Sequence, residues 1–247
     1  MRKHPFQAMI LAAGLGKRLR PYTDNLPKAL VEINGRPILG LLLDKRKAEG
    51  CRRVVVNIHY LGSLITDYLA TYPFEGMQLV ISDESALLLE TGGALRKAAD
   101  LFLPELPVVV HNVDILSDLS FQDLLSQHLN SDSLLTLAVR RRQSSRYLAF
   151  NNDGQLTGWI NRKTGETLGD VDEQLSDFFA FSGVHVASWS FFKLIKEMEE
   201  ERPFSVIPLW IKLCKGYSIK CFDHSFSYWS DIGTPSDLEI ARTNFRF

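Results

Sequence analysis

Apolar residues along this 247-residue chain gather in two patterns. Short, mostly apolar runs, such as residues 6–11, 54–58 and 108–110, mark strands covered on both faces. Between them apolar positions recur every three or four residues, the spacing of a helix with one buried side. The pattern predicts a strand over 6–11 and a strand-like run over 29–33, closed by the tight turn Asn34-Gly35. Pro37 opens a helix that turns Leu39, Leu42, Leu43 and Arg46 to one side, and Gly50 stands where a glycine follows a helix C-terminus. Strands over 54–58, 79–81, 108–110 and 134–139 then alternate with helices over 61–72, 91–102 and 121–129. Alternation at this spacing builds right-handed βαβ units on a parallel sheet.

The rhythm changes after Arg140. Residues 140–177 are polar, and Asn151-Asn-Asp-Gly154 reads as a hairpin turn between strands over 147–150 and 156–160. A strand over 178–187 leads to a helix over 188–198, capped by Ser188 or Ser190. A further helix spans 205–214, with Pro208 confined to its first turn, and short strands follow over 219–222 and 226–229. Thr234-Pro235 opens a last helix through Ala241. No repeat, low-complexity tract or linker breaks the chain. It reads as one α/β domain over 1–247, whose second half carries an antiparallel insertion.

Composition narrows the class. Hydrophobic residues at 45% and charged residues at 23% are ordinary for a soluble globular chain of a length that buries a full core. A net charge of −1 argues against a nucleic-acid partner held by bulk electrostatics. No apolar stretch reaches membrane-spanning length, and Arg2, Lys3, His4 and Pro5 are not followed by a signal-peptide core ending in a cleavage site. Cys51, Cys214 and Cys221 are odd in number and lack metal-type spacing, so a reduced, cytoplasmic setting is expected, with Cys214 and Cys221 as small core residues. Oligomeric state leaves no mark in the sequence.

The chemistry concentrates in Leu11-Ala-Ala-Gly-Leu-Gly-Lys-Arg-Leu-Arg-Pro-Tyr-Thr-Asp-Asn-Leu-Pro-Lys28. Ala12, Ala13, Gly14 and Gly16 strip side chains from a turn, so backbone N–H groups can approach an anion. Lys17, Arg18 and Arg20 crowd the same residues, an arrangement suited to a polyphosphate. A Walker loop is excluded because Arg18 stands where its hydroxyl should be. A dinucleotide fingerprint is excluded because Leu19 replaces the third glycine, and Pro21 permits only a brief helix. An ordinary strand-to-helix turn with a solvated basic face is the plain alternative. The pattern Gly-x-Gly-x-Arg-x-x-Pro-x-Thr-x-x-x-Pro-Lys, carried by Gly14, Gly16, Arg18, Pro21, Thr23, Pro27 and Lys28, resembles the signature of the sugar-1-phosphate nucleotidylyltransferases.

That resemblance implies a three-layer αβα, Rossmann-like (glycosyltransferase-A-like) fold, with a mixed, mainly parallel sheet and a small antiparallel sugar-side insertion. Residues to about 139 would form a nucleotide-binding half and the rest a sugar-binding half. Ligands of open parallel sheets bind beyond strand carboxyl ends, which draws attention to Asn112 and Asp114 after 108–110 and to Asp231 after 226–229. Singly, Asp114 reads as a turn or helix cap and Asp231 as a cap for the last helix. In the resemblance both hold the metal, at opposite ends of the sheet, and Mg²⁺ suits one or two carboxylates completed by phosphates and water. Glu90-Thr91-Gly92-Gly93 opens a helix; Thr91 is a candidate N-cap and the glycines candidate packing residues, while the resemblance assigns the turn to the nucleobase.

Of related forms, the Glu-Thr-Gly-Gly version is nearest the short uridylyltransferases of N-acetylmuramate 1-phosphate, then the guanylyltransferases of mannose and heptose 1-phosphates. On the sugar side the resemblance points to Asn112 and Gly183. Asn161-Arg-Lys163-Thr replaces the usual Glu-Lys-Pro, leaving Lys163 as the candidate for the sugar phosphate. Arg140-Arg-Arg142 reads as a solvated turn, and His59 and His111 as structural hydrogen-bonders. The implied reaction is Mg²⁺-dependent transfer of a nucleoside monophosphate, from UTP first, to a sugar 1-phosphate. Arg18 would neutralise the departing pyrophosphate, and Lys28 would draw the α-phosphate and sugar phosphate together. The alternatives are a GTP-using enzyme, a cytidylyltransferase for a phosphorylated alcohol and a non-catalytic relative, although the last should lack some of Arg18, Lys28, Asp114 and Asp231.

Overall fold

A computed structural model describes residues 3–198 and 203–245; Arg2 lies outside them. The first half runs β1 (Phe6–Leu11), the hairpin β2 (Glu32–Ile33) and β3 (Arg36–Pro37), α1 (Ile38–Glu49), β4 (Cys51–Ile58), α2 (Gly62–Thr71), β5 (Gln78–Asp83), α3 (Glu90–Ala98), β6 (Val108–Asn112), β7 (Ile115–Ser117), α4 (Phe121–Asn130) and β8 (Leu135–Arg140). The second runs β9 (Arg146–Phe150), β10 (Leu156–Asn161), β11 (Thr167–Gly169), β12 (Asp177–Ala187), α5 (Trp189–Glu197), α6 (Val206–Leu213), β13 (Ile219–Asp223), β14 (Trp229–Asp231) and α7 (Pro235–Asn244).

One sheet passes through both halves in the order β11-β10-β9-β12-β6-β1-β4-β5, and β8 joins it between β12 and β13. The β6-β1-β4-β5 block is parallel, as the strand–helix alternation requires. Its strands are apolar on both sides for a visible reason. Ala8, Ile10, Val54 and Val56 enter the core shared with α1, while Met9 and Val55 enter the core shared with Leu95 of α3 and Trp210 of α6. Each such valine, isoleucine, leucine or methionine contributes about 1.5–3 kcal/mol on burial. This is a mainly parallel sheet with helices on its two faces.

The 134–139 strand departs from the parallel expectation: β8 lies antiparallel to β12 and parallel to β13. The eleven-residue β12 makes this possible by changing partners along its length. Asp177–Phe179 pairs with β9 and Val184–Ala187 with β6, with an irregularity between Phe181 and His185 where Gly183 takes φ +77°. The β9–β10 hairpin forms about the predicted Asn151–Gly154 turn, the Asn151 side chain accepting from Asp153 N and Gln155 N at 3.0 Å each.

Other expectations shift locally. Of 29–33 only Glu32–Ile33 is strand, because Lys28–Leu30 tightens into a 3-10 turn whose Lys28 carbonyl accepts from Val31 N. Of 226–229 only Trp229 is strand; Ser227 N bonds back to the His224 carbonyl, and Phe226 stands fully exposed in that turn. Ser188 occupies the N-cap of α5 without a side-chain capping bond. Thr234 and Asp237 form a reciprocal capping box on α7, which frees Asp231 from the capping role. Among the described residues no helix is long and apolar enough to cross a membrane.

Candidate active site

The loop after β1 is closed by its own residues. Thr23 Oγ1 donates to the Gly16 carbonyl at 2.8 Å, and a Cβ at Gly16 (φ +62°) would press on Thr23 Cγ2 at 3.0 Å. Gly14, in contrast, faces open space, and a Cβ there would meet nothing within 4 Å. Ala12 is turned inward, its N–H donating to Asn57 Oδ1 at 2.6 Å. Ala13 and Gly14 therefore present the loop to a cavity of about 380 Å³, which also takes in Lys28, Glu84, Glu90, Thr91, Asn112 and Asp114.

Lys28 and Asp114 form the centre of that wall. Lys28 Nζ donates to Asp114 Oδ2 at 2.6 Å, with side-chain exposures of 9% and 26%. Pro27 and the 3-10 turn fix the lysine, and the short link from β6 to β7 fixes the aspartate. Strand β7 pairs with β14, setting Ile115 opposite Asp231, and Ile232 N donates to the Asp114 carbonyl at 2.9 Å. Asp114, just ahead of β7, and Asp231, the last residue of β14, thus lie close together at one end of a separate ribbon, not at opposite ends of the main sheet. Asp231 Oδ1 is buried without a hydrogen-bond partner among the described residues. Burial raises the Asp231 pKa, the Asp114 charge adds to the rise, and Lys28 and Arg18 oppose it. Arg18 is exposed yet reaches the same place, a Cβ on Gly233 falling 3.2 Å from its Nη1.

An orphaned carboxylate oxygen beside a second carboxylate, with cations close by, is a donor set that suits Mg²⁺. Among the described residues no group of three or more His, Cys, Asp or Glu could hold a metal by itself. A cation here would complete its shell with substrate oxygens and water.

The Glu90–Gly93 turn uses a glycine for packing, as the sequence allowed, but its threonine caps another helix. Glu90 begins α3 with φ +58°, a conformation costly for a non-glycine residue, and lines the cavity. Thr91 Oγ1 accepts from Val206 N at 3.0 Å, so it caps α6 and not its own helix. Gly92 N donates to the Phe204 carbonyl at 2.9 Å, and a Gly92 Cβ would lie 2.2 Å from the Phe204 ring. Gly92 therefore packs the cavity wall, with its amide engaged.

On the opposite side Gly183 faces Asn112: a Gly183 Cβ would fall 3.2 Å from Asn112 Nδ2 and 2.7 Å from Ile115 Cγ1. Lys163 is not brought to this place. It sits on the exposed turn between β10 and β11, and the neighbouring Arg162 is paired with Glu173. Arg140 and Arg142 are not a solvated turn either; their guanidinium carbons lie 5.4 and 4.6 Å from the Trp229 ring centre. His59 bonds the Glu84 carbonyl, and His111 takes a hydrogen bond from buried Arg46, both structural as expected.

Sequence reading passed over Glu84. It is buried just past β5, accepts from Asn57 Nδ2 at 2.7 Å and from Leu89 N at 3.3 Å, and faces the cavity. Burial raises its pKa against the Asn57 hydrogen bond. The strand-end rule that singled out Asp114 also covers Glu84, and an asparagine in the otherwise apolar run of β4 was the matching signal.

Fold and cavity bring a loop of small residues, the Lys28–Asp114 pair and a second carboxylate, Asp231, close together beyond the carboxyl end of β6. The chain belongs to the nucleotidyl transferase family, whose sequence model matches residues 7–246. It is 30% identical to the N-acetylmuramate alpha-1-phosphate uridylyltransferase of Caulobacter vibrioides over 95% of both chains. It is 28% identical to the mannose-1-phosphate guanyltransferase of Pichia angusta, over 94% of this chain and 62% of that one. HddC from Yersinia pseudotuberculosis shares the fold, with TM-score 0.77, 23% identity and coverage of 98% of this chain and 100% of that one. The enzyme is thus of the sugar-1-phosphate nucleotidylyltransferase type.

Proposed function

We propose that the chain catalyses Mg²⁺-dependent transfer of a nucleoside monophosphate, from UTP in preference to other triphosphates, to a sugar 1-phosphate, releasing pyrophosphate. The observation that carries this reading is the Lys28–Asp114 pair on the cavity wall, beside an Asp231 oxygen without a partner among the described residues. The choice of UTP draws on the Caulobacter relative, which is named for uridylyl transfer.

Bound by Asp114 and Asp231, Mg²⁺ would supply the positive charge that screens the two phosphates from each other. The sugar-phosphate oxygen attacks the α-phosphorus in line, the bond to the pyrophosphate oxygen breaks, and no protein nucleophile enters. Lys28, held by Asp114, draws the α-phosphate and sugar phosphate together. Arg18, against Gly233, meets the charge growing on pyrophosphate, while the backbone at Ala13 and Gly14 receives the departing group. Glu90 and Thr91 line the base end, and Gly92 keeps that wall thin. Asn112 and Gly183 meet the sugar. In this division residues to about 139 serve mainly the nucleotide and the rest mainly the sugar, with Asn112 and Asp231 each crossing over, within one cytoplasmic domain.

A guanylyl reading has one observation of its own. The Glu84 carboxyl in the cavity wall offers acceptor oxygens, and guanine presents two N–H donors on its pairing edge where uracil presents one. Pyrophosphate release over a panel of UTP, GTP, CTP and dTTP against several sugar 1-phosphates tests both. UTP turning over fastest with a sugar 1-phosphate is the expected result. GTP turning over fastest selects the guanylyl reading, and release with no pair sinks the assignment.

A further inference from the structure

A second cavity, of about 220 Å³, lies among β9, β10, β12 and the first turn of α6. Trp159, Phe181 and Ile207 give it apolar walls, and Arg142, Arg146 and Tyr147 also line it. Its lining residues neighbour those of the first site along the chain. Phe181 precedes Gly183 on β12 by two residues, and Ile207 follows Ser205, which lines the first cavity, by two. Arg142 stacks over Trp229, two residues before Asp231 on β14.

Arg142 is short of partners for a half-buried cation. Nη1 and Nη2 donate to the Gln143 and Phe181 carbonyls at only 3.2 and 3.3 Å, and the buried Nε donates to nothing among the described residues. No carboxylate within the described residues pairs with it, whereas Arg141 takes Asp177 and Arg162 takes Glu173. Burial lowers its pKa, and the Asp231 charge opposes that fall. The Tyr147 hydroxyl fixes the loop that carries it, donating to the Arg142 carbonyl at 3.2 Å and accepting from Ser144 N at 2.9 Å. A guanidinium with unused donors, held on the edge of an aromatic cavity, is arranged to receive an oxyanion attached to something with an apolar face.

We propose that this second cavity binds an anionic group of the sugar 1-phosphate, Arg142 and Arg146 taking the charge and Trp159 the ring. The inference rests on the acceptor being a sugar phosphate, as in the proposed reaction. It gives the sugar side the cation that Lys163, out on its exposed turn, does not provide. The anion is an oxyanion that a guanidinium fork can grip: the anomeric phosphate itself, or a carboxylate carried on the ring.

Calorimetric titration of the full chain with glucose 1-phosphate and with glucuronic acid 1-phosphate tests the proposal without requiring turnover. Arg142→Met is expected to weaken binding about tenfold or more, and Arg146→Met several-fold, in line with the loss of charged hydrogen bonds. Arg141→Met, with its own partner outside the cavity, serves as the control and leaves binding unchanged. Weakening with both ligands identifies the anomeric phosphate, and weakening with glucuronic acid 1-phosphate alone identifies the ring carboxylate; either supports the pocket. Unchanged binding in both variants, or no binding of either ligand by the wild-type chain, overturns it. Arg146 is exposed, so its variant keeps the test open if Arg142→Met does not fold. A wild-type chain that binds a sugar phosphate but turns over no triphosphate fails the proposed reaction and leaves the pocket standing.

Discussion

Burial holds the Asp231 carboxyl above the usual carboxylate range, and the neighbouring Asp114 charge adds to the rise. The unfolded chain releases that proton near pH 3.8 while the fold retains it to higher pH, so stability falls as pH rises through the interval. Asp231→Asn should therefore melt at a higher temperature than wild type at pH 7, the gain disappearing below pH 3.8. The same substitution should cost roughly 10²-fold or more in turnover. Thermal melts at several pH values with parallel pyrophosphate assays check both, and an equal or lower melting temperature at pH 7 defeats the electrostatic account. Arg18 is exposed, so Arg18→Ala should melt like wild type while losing on the order of 10³ in kcat. At this scale the sequence was legible where a residue type and a strand end coincide, as at Asn112 and Asp114. It was not legible where a role depends on a partner far along the chain. Arg142 stacks over Trp229, on a strand near the end of the described chain.

Among elements, the Glu90–Gly93 turn does the most unexpected work, because it serves α6 more than α3. Thr91 caps α6, and the Gly92 N–H and bare Cα receive Phe204. Gly92→Ala would force the Phe204 ring aside, at a cost of about 1–3 kcal/mol. The displaced 203–206 segment includes Ser205, which lines the first cavity, so affinity for the nucleotide should fall with stability. Denaturant unfolding and nucleotide titration of the variant measure the two losses, and retention of both would separate the turn from the cavity. The long periodic helices and apolar strands were readable because each is specified by its own residues. The three-residue strands β7 and β14 are specified by pairing across the fold, which no local pattern records.

The whole molecule keeps four buried histidines neutral. His111 is held well below its usual range, His128 is brought to about 4, His185 to about 3 and His224 to about 4, burial being the first cause in each. The unfolded chain protonates these groups near pH 6.5 and the fold resists, so stability is lost as pH falls below 6.5 toward 4. Each fully resisting histidine contributes a slope of up to about 1.4 kcal/mol per pH unit. Urea unfolding at pH 7, 6 and 5 should show a steepening decline, and constant stability between pH 7 and 5 would refute this. The parallel block of the sheet followed from the alternation of runs in the sequence; the change of partners along β12 did not, because it depends on how Gly183 meets Ile115. The β7–β14 ribbon also sets a schedule for the chain as it is made. Asp114 emerges early, with its strand and its lysine, but its companion carboxylate arrives only with β14, more than a hundred residues later. A nascent chain can therefore close the β6-β1-β4-β5 block and still lack half of its carboxylate pair.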